Sequence, residues 1–115
     1  MIYAKINLGN IFVGVKKINS EIPQNFSLSQ NYPNPFNPTT TIRFAIPSND
    51  KRETSNVKII VYNALGSEIQ TLVNEQLQPG TYEAVWDGTN YASGIYFYTI
   101  KAGNYVDSKK MVLVK

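Results

Sequence analysis

The sequence is most decisive for the fold at residues 39–46, which read TTTIRFAI. The even-numbered positions from Thr40 to Ile46 lie on one face of an extended chain, and the odd-numbered positions from Thr39 to Ala45 lie on the other. Three of the four even-numbered residues are large and apolar, whereas the opposite face is mostly polar. A period of two predicts a β-strand that packs one face against a core.

Further extended segments lie on both sides of this one, with turn signals between them at intervals of roughly 8–12 residues. They are Phe26–Gln30, Val57–Tyr62, Ser67–Asn74, Thr81–Trp86, Ile95–Lys101 and Tyr105–Val114. No segment shows a sustained helical period. The sequence therefore predicts an all-β antiparallel β-sandwich of about seven short strands.

Three details of the pattern predict more about these strands. Ser67–Asn74 breaks the alternation, which a bulge in an edge strand would explain. Ile95–Lys101 begins apolar on both faces, as a central strand does. Gly103-Asn104 predicts a hairpin turn before the last strand, and the alternation of Ile11, Val13 and Val15 allows one more short strand near the beginning of the chain.

A proline-rich run, NYPNPFNP at residues 31–38, interrupts the strands. Each proline lacks an N–H group and fixes φ, so the run belongs to neither a helix interior nor a central strand. We expect a stiff, ordered loop with Tyr32 and Phe36 as anchors. One interpretation is a rigid connector at the edge of the sandwich, and the other is a recognition surface.

Composition excludes several classes of function. The 115 residues suffice for one domain, and the net charge of +3 comes from scattered residues that form no nucleic-acid footprint. Cysteine and histidine are absent, so thiolate chemistry and histidine catalysis are excluded. No apolar run is long enough to span a bilayer. Residues 1–15 make a poor signal peptide, and we expect any export signal on upstream sequence.

Candidate binding and catalytic groups are sparse. The loop Asp87–Asn90 offers about three oxygen ligands, fewer than calcium needs, and predicts a capped turn. Trp86 is expected in the core. No carboxylate pair is singled out by its spacing, so we expect no catalytic residues, no cofactor and no metal. A sugar-binding face lined by tyrosines is an alternative that the sequence leaves open, and its residues would be Tyr91, Tyr96, Tyr98 and Tyr105.

The run FSLSQNYPNPFNPTTTI at residues 26–42 closely resembles the opening of the type A C-terminal sorting domains of the type IX secretion system, and it is the most specific part of the resemblance. Weaker landmarks follow in the family's order: VYNALG at 61–66, PGTY at 79–82, WDG at 86–88, SGIYFY at 93–98 and KKMVLVK at 109–115. The immunoglobulin-like domain of flagellar hook-capping proteins carries similar pieces.

The resemblance implies an immunoglobulin-like sandwich that serves as a non-catalytic secretion signal. Such a domain follows an N-terminal cargo domain, is bound by an outer-membrane translocon and is cut off by a surface peptidase, so that the cargo reaches the cell surface or the medium. We accordingly expect a linker or the tail of a cargo region over residues 1–25 and the sorting domain over 26–115. The alternatives are a carbohydrate-binding or adhesive module and a hook-capping-like assembly domain.

The resemblance also selects the residues expected to act in sorting. An edge strand exposes unpaired backbone groups, so we expect a receptor to bind the final strand by strand addition. The expected sorting residues are Pro33, Asn34, Pro35, Phe36, Asn37, Pro38, Gly94, Tyr96, Lys109, Lys110, Met111, Val112, Leu113, Val114 and Lys115.

Overall fold

The structure is a computed structural model that describes residues 15–19, 21–48 and 54–115. Within these residues the chain forms eight strands and no helix. The strands are β1 (Lys16–Asn19), β2 (Ser27–Leu28), β3 (Thr39–Ile46), β4 (Ser55–Tyr62), β5 (Glu68–Leu77), β6 (Gly80–Asp87), β7 (Gly94–Ala102) and β8 (Tyr105–Leu113).

Two four-stranded sheets stack to form the predicted β-sandwich. Sheet A has the order β1-β6-β3-β2, and sheet B has the order β5-β4-β7-β8. Every neighbouring pair of strands is antiparallel. The core between the sheets contains the inward faces of the strands, with Ile42, Val57, Ile59, Trp86 and Tyr98 fully or almost fully buried. The period of two therefore predicted the inward faces correctly, and burial of these apolar side chains is the main stabilising contribution.

Strand β5 confirms the prediction of a bulged edge strand. The pairing of β4 with β5 shifts after Ile59 pairs with Val73 and again after Val61 pairs with Gln70. Each shift leaves one extra residue on β5, first Leu72 and then Ile69. Bulges of this kind twist the edge of a sheet and interrupt its hydrogen-bonding ladder.

The predictions for β7 and β8 are also confirmed. Strand β7 is central, since it pairs with β4 on one side and β8 on the other. The hairpin between β7 and β8 closes where Ala102 pairs with Tyr105. Gly103 has φ of 60° in this turn, a left-handed conformation that costs glycine nothing.

The structure differs from the predicted strands at the N-terminal side. Lys16–Asn19, a polar segment that the pattern left unassigned, forms β1 and pairs with β6. The predicted strand at Phe26–Gln30 is shortened to Ser27–Leu28, although Leu28 is buried as expected. The expected strand around Ile11 and Val13 lies outside the described residues, while Val15 is buried in the core.

Candidate functional site

The proline-rich loop is held in place by the buried side chain of Asn31. Its amide nitrogen donates hydrogen bonds to Thr40 Oγ1 at 2.9 Å and to the Pro33 carbonyl oxygen at 3.1 Å. The amide oxygen accepts a hydrogen bond from Gln30 Nε2 at 2.6 Å. A buried polar group satisfied on all sides specifies one loop conformation, because any other arrangement leaves it unpaired. No local pattern in the sequence indicates this role of Asn31.

Phe36 anchors the loop to the core. Its side chain is 2% exposed, and its ring centroid lies 5.7 Å from that of Trp86. Trp86 also contacts Tyr96, with the ring centroids 5.3 Å apart, and donates its indole N–H to Gln70 Oε1 at 2.9 Å. Of the two anchors expected from the sequence, Phe36 is therefore buried as predicted. The expectation for Tyr32 is wrong, because its side chain is 80% exposed.

The loop pairs with the outer edge of β8. The backbone N–H of Phe36 donates to the Val112 carbonyl, and the N–H of Val114 donates to the Phe36 carbonyl, both at 2.9 Å. Val112 N donates to Asn34 Oδ1 at 3.0 Å, and Gln30 Nε2 donates to the Lys110 carbonyl at 2.7 Å. The loop thus forms a short parallel bridge to β8 and occupies the outward backbone groups from Lys110 O to Val114 N.

This pairing changes the expected mode of recognition at β8. Strand addition requires unpaired backbone groups, and those between Lys110 and Val114 are already used. Further along the edge, Ser108 N donates to Asp107 Oδ1 at 2.9 Å. By strand alternation Asp107 and Lys109 lie on the inward face with Met111, and charges in this position protect an edge from strand addition. A partner would therefore contact side chains at this surface unless it displaces the loop.

The segment around Gly88 lies at the same end of the sandwich and is hydrogen-bonded to the proline-rich loop. Gly88 N donates to the Pro38 carbonyl at 2.7 Å. A Cβ atom at Gly88 would lie 3.0 Å from Leu113 Cδ2 and 3.4 Å from the Pro38 oxygen, so a side chain here would push against β8 and the loop. The glycine of the WDG landmark therefore allows the loop and β8 to approach β6 closely.

The last residue is also bonded to this end. Lys115 N donates to Ser93 Oγ at 3.0 Å, and Lys115 Nζ donates to the Thr89 carbonyl. The hydroxyl and then the backbone N–H of Thr89 lower the pKa of Asp87 by hydrogen bonding, and the charge of Lys115 adds to this effect. Asp87 and Thr89 thus form the capped turn that was predicted for Asp87–Asn90.

We call the Pro33–Pro38 loop together with Lys110–Lys115 the loop–strand surface. The structure brings together all of the sorting residues expected from the sequence, but only some of them face solvent. The exposed ones are Pro33, Asn34, Pro35, Asn37, Gly94, Lys110, Val114 and Lys115, the partly buried ones are Pro38, Lys109 and Val112, and the buried ones are Phe36, Tyr96, Met111 and Leu113. The buried members can only act by positioning the exposed ones.

The tyrosines weighed as a sugar-binding face do not form one. Tyr96 and Tyr98 are buried, and Tyr91 and Tyr105 are partly buried against the core. The hydroxyl of Tyr98 donates to the Ser29 carbonyl at 2.7 Å, and burial raises the pKa of Tyr98 to about 12. These rings therefore serve packing.

The described part of the chain contains neither a cluster of metal ligands nor a membrane-spanning helix. Its acidic residues form no group of three or more that could hold a metal ion. Across the same residues, no helix has the length and hydropathy to cross a membrane.

Comparison with known proteins identifies one family. The family model described as "Secretion system C-terminal sorting domain" matches residues 30–115. This match covers both the proline-rich loop and the last strand. No curated protein matches the chain.

Proposed function

The chain belongs to the secretion system C-terminal sorting domain family, and we propose that its loop–strand surface is the part that the type IX translocon in the outer membrane binds. The domain is the C-terminal sorting signal for type IX secretion. Such a signal implies export to the cell surface or secretion, and the family is not a catalytic one. The carbohydrate-binding and hook-capping alternatives are not favoured.

The observation that carries the proposal is the pairing of the proline-rich loop with β8. Asn34 and Val112 are 78 positions apart in the sequence, yet their side-chain oxygen and backbone nitrogen lie 3.0 Å apart. Their neighbours therefore form one surface only when the domain is folded. A receptor that binds this surface would select folded domains irrespective of the cargo.

The chemistry of the surface fits a protein receptor. Pro33 and Pro35 present rigid apolar groups, Val114 adds an exposed apolar side chain, and Lys110 and Lys115 supply two cations. Rigid apolar groups lose little conformational entropy on binding, and the cations favour an acidic partner surface by electrostatic steering.

We assign two further partners, an N-terminal cargo region and the surface peptidase that separates it from the domain. The peptidase would cut upstream of Phe26, where Glu21–Asn25 connects β1 to β2 and most side chains are exposed. Exposed connecting segments are the preferred sites of proteolysis. The division into residues 1–25 as linker or cargo tail and 26–115 as sorting domain stays a prediction, with β1 as a strand that the first part adds to the sandwich.

The proposal is tested with a reporter fusion in which one exposed charge of the loop–strand surface is reversed. The full chain is attached to an exported fluorescent reporter in a bacterium with a type IX system, and surface fluorescence is measured for Lys110→Glu. We expect delivery to fall about tenfold, which corresponds to about 1.4 kcal/mol of lost binding. Deleting Lys109–Lys115 would be less informative, because Met111 and Leu113 belong to the core.

The matched control is Lys101→Glu. Lys101 is also an exposed lysine of the β7–β8 hairpin, but it pairs with Val106 at the other end. We expect it to leave delivery unchanged. Equal delivery by both variants, with circular dichroism showing both folded, would refute the assignment of the surface.

A further inference from the structure

Strand β1 completes sheet A although it lies outside the family match. The match begins at residue 30, whereas Lys16, Lys17 and Asn19 pair with Glu83, Tyr82 and Thr81 of β6. The pairing is irregular between Lys17 and Asn19. A segment upstream of the matched domain therefore covers the free side of β6.

The free side of β6 is shaped to receive this segment. Val15 is buried among the core residues, and Lys17 Nζ lies 5.9 Å from the centroid of the Tyr82 ring. A Cβ atom at Gly80 would lie 2.6 Å from Lys17 Cε and 3.0 Å from the Asn19 carbonyl oxygen. The acceptor thus consists of a core opening for one apolar side chain, an aromatic ring for a cation, and a glycine that leaves room for the strand.

The segment that connects β1 to β2 is weakly attached. Ile22 is 62% exposed, and Glu21, Gln24 and Asn25 are exposed as well. Among the described residues, the one hydrogen bond of Glu21–Asn25 is local, from Glu21 N to Asn19 Oδ1 at 2.7 Å. Val15 is the one buried side chain of residues 15–19, and only Lys16, Lys17 and Asn19 pair with β6. This segment is therefore expected to open at lower free energy than the rest of the sandwich.

We propose that the free side of β6 is an acceptor site for one extended segment, filled in this chain by Val15–Asn19, and that its occupant is exchangeable. The segment that fits has an apolar residue at the position of Val15 and a long cationic side chain two residues later. Backbone pairing supplies the affinity, and the opening that holds Val15 supplies the specificity. This inference is independent of translocon binding.

The test separates β1 from the folded full chain. A recognition sequence for a site-specific protease is inserted between Gln24 and Asn25, the folded protein is cleaved, and a fluorescent peptide with the sequence of residues 11–20 is added. Fluorescence anisotropy is expected to show saturable exchange of the peptide into the cleaved protein. The same peptide with Val15→Asp should bind at least about tenfold more weakly, since a carboxylate would enter the core opening.

The control is the same insertion after Leu65, which is 91% exposed in the turn between β4 and β5. Cleavage there leaves β1 covalently attached, so peptide binding should be much weaker. Three results would overturn the inference: a folded protein cleaved at the connector that takes up no peptide, equal binding of the Val15→Asp peptide, or equal binding by the protein cleaved after Leu65.

Discussion

Replacing Phe36 by alanine should destabilise the whole domain, although Phe36 lies in a loop. The side chain is 2% exposed and packs on Trp86, and truncating a buried phenylalanine costs about 3–5 kcal/mol through lost burial and the remaining cavity. We expect about 3–4 kcal/mol for Phe36→Ala, because the loop can partly collapse into the space. For a domain of this size, this corresponds to a melting temperature lowered by roughly 12–30 °C.

Urea denaturation followed by tryptophan fluorescence measures this change directly. The chain has a single tryptophan, and Trp86 is fully buried beside Phe36, so its emission reports on the region that is altered. Tyr32→Ala is the matched control, since Tyr32 lies in the same segment but is 80% exposed, and we expect a change within about 0.5 kcal/mol. A loss below about 1 kcal/mol for Phe36→Ala, or an equal loss for Tyr32→Ala, would refute the argument that Phe36 anchors the loop.

Two further predictions concern buried polar groups. Asn31→Ala should lower the free energy of unfolding in urea by about 1–3 kcal/mol, because the amide that bonds Thr40 and Pro33 is lost. Asn37→Ala, on the exposed side of the loop, should leave this free energy almost unchanged. Equal losses for the two variants would contradict the role of Asn31. Stability should also decline at alkaline pH, because the folded state raises the pKa of Tyr98 from 10.0 to about 12 and the unfolded chain therefore ionises first. The stabilisation from neutral Tyr98 is complete below pH 10 and is lost as the pH rises to about 12. We expect the free energy of unfolding to fall by about 1–2 kcal/mol over this range. Urea denaturation at several pH values measures this fall, which should be smaller for Tyr98→Phe than for the wild type.

The sequence predicted those parts of the fold that depend on local alternation. The pattern of β3 places Ile42, Phe44 and Ile46 inward whatever the rest of the chain does, and the broken pattern of β5 signals its bulges in the same way. Strand β1 could not be predicted, because KKIN has no apolar period and its pairing depends on the free side of β6 and on Val15.

The sequence suggested candidate site residues but not how they are arranged. Motifs identified the proline-rich loop and the last strand as separate candidates, but nothing local indicates that Phe36 pairs with Val112 and Val114. That pairing follows from sheet stacking, which brings the end of β8 against the loop before β3. For the same reason, the expectation of an open β8 edge was wrong between Lys110 and Val114, where the loop occupies the backbone groups.

The loop that covers β8 also affects how the molecule behaves at high concentration. An uncovered terminal strand can recruit the same strand from another copy and start fibril growth. Here the bulged β5 lies at one margin of sheet B, and residues 34–36 close part of the other. The proline-rich loop therefore makes this part of the β8 edge unavailable for pairing with another copy of the chain.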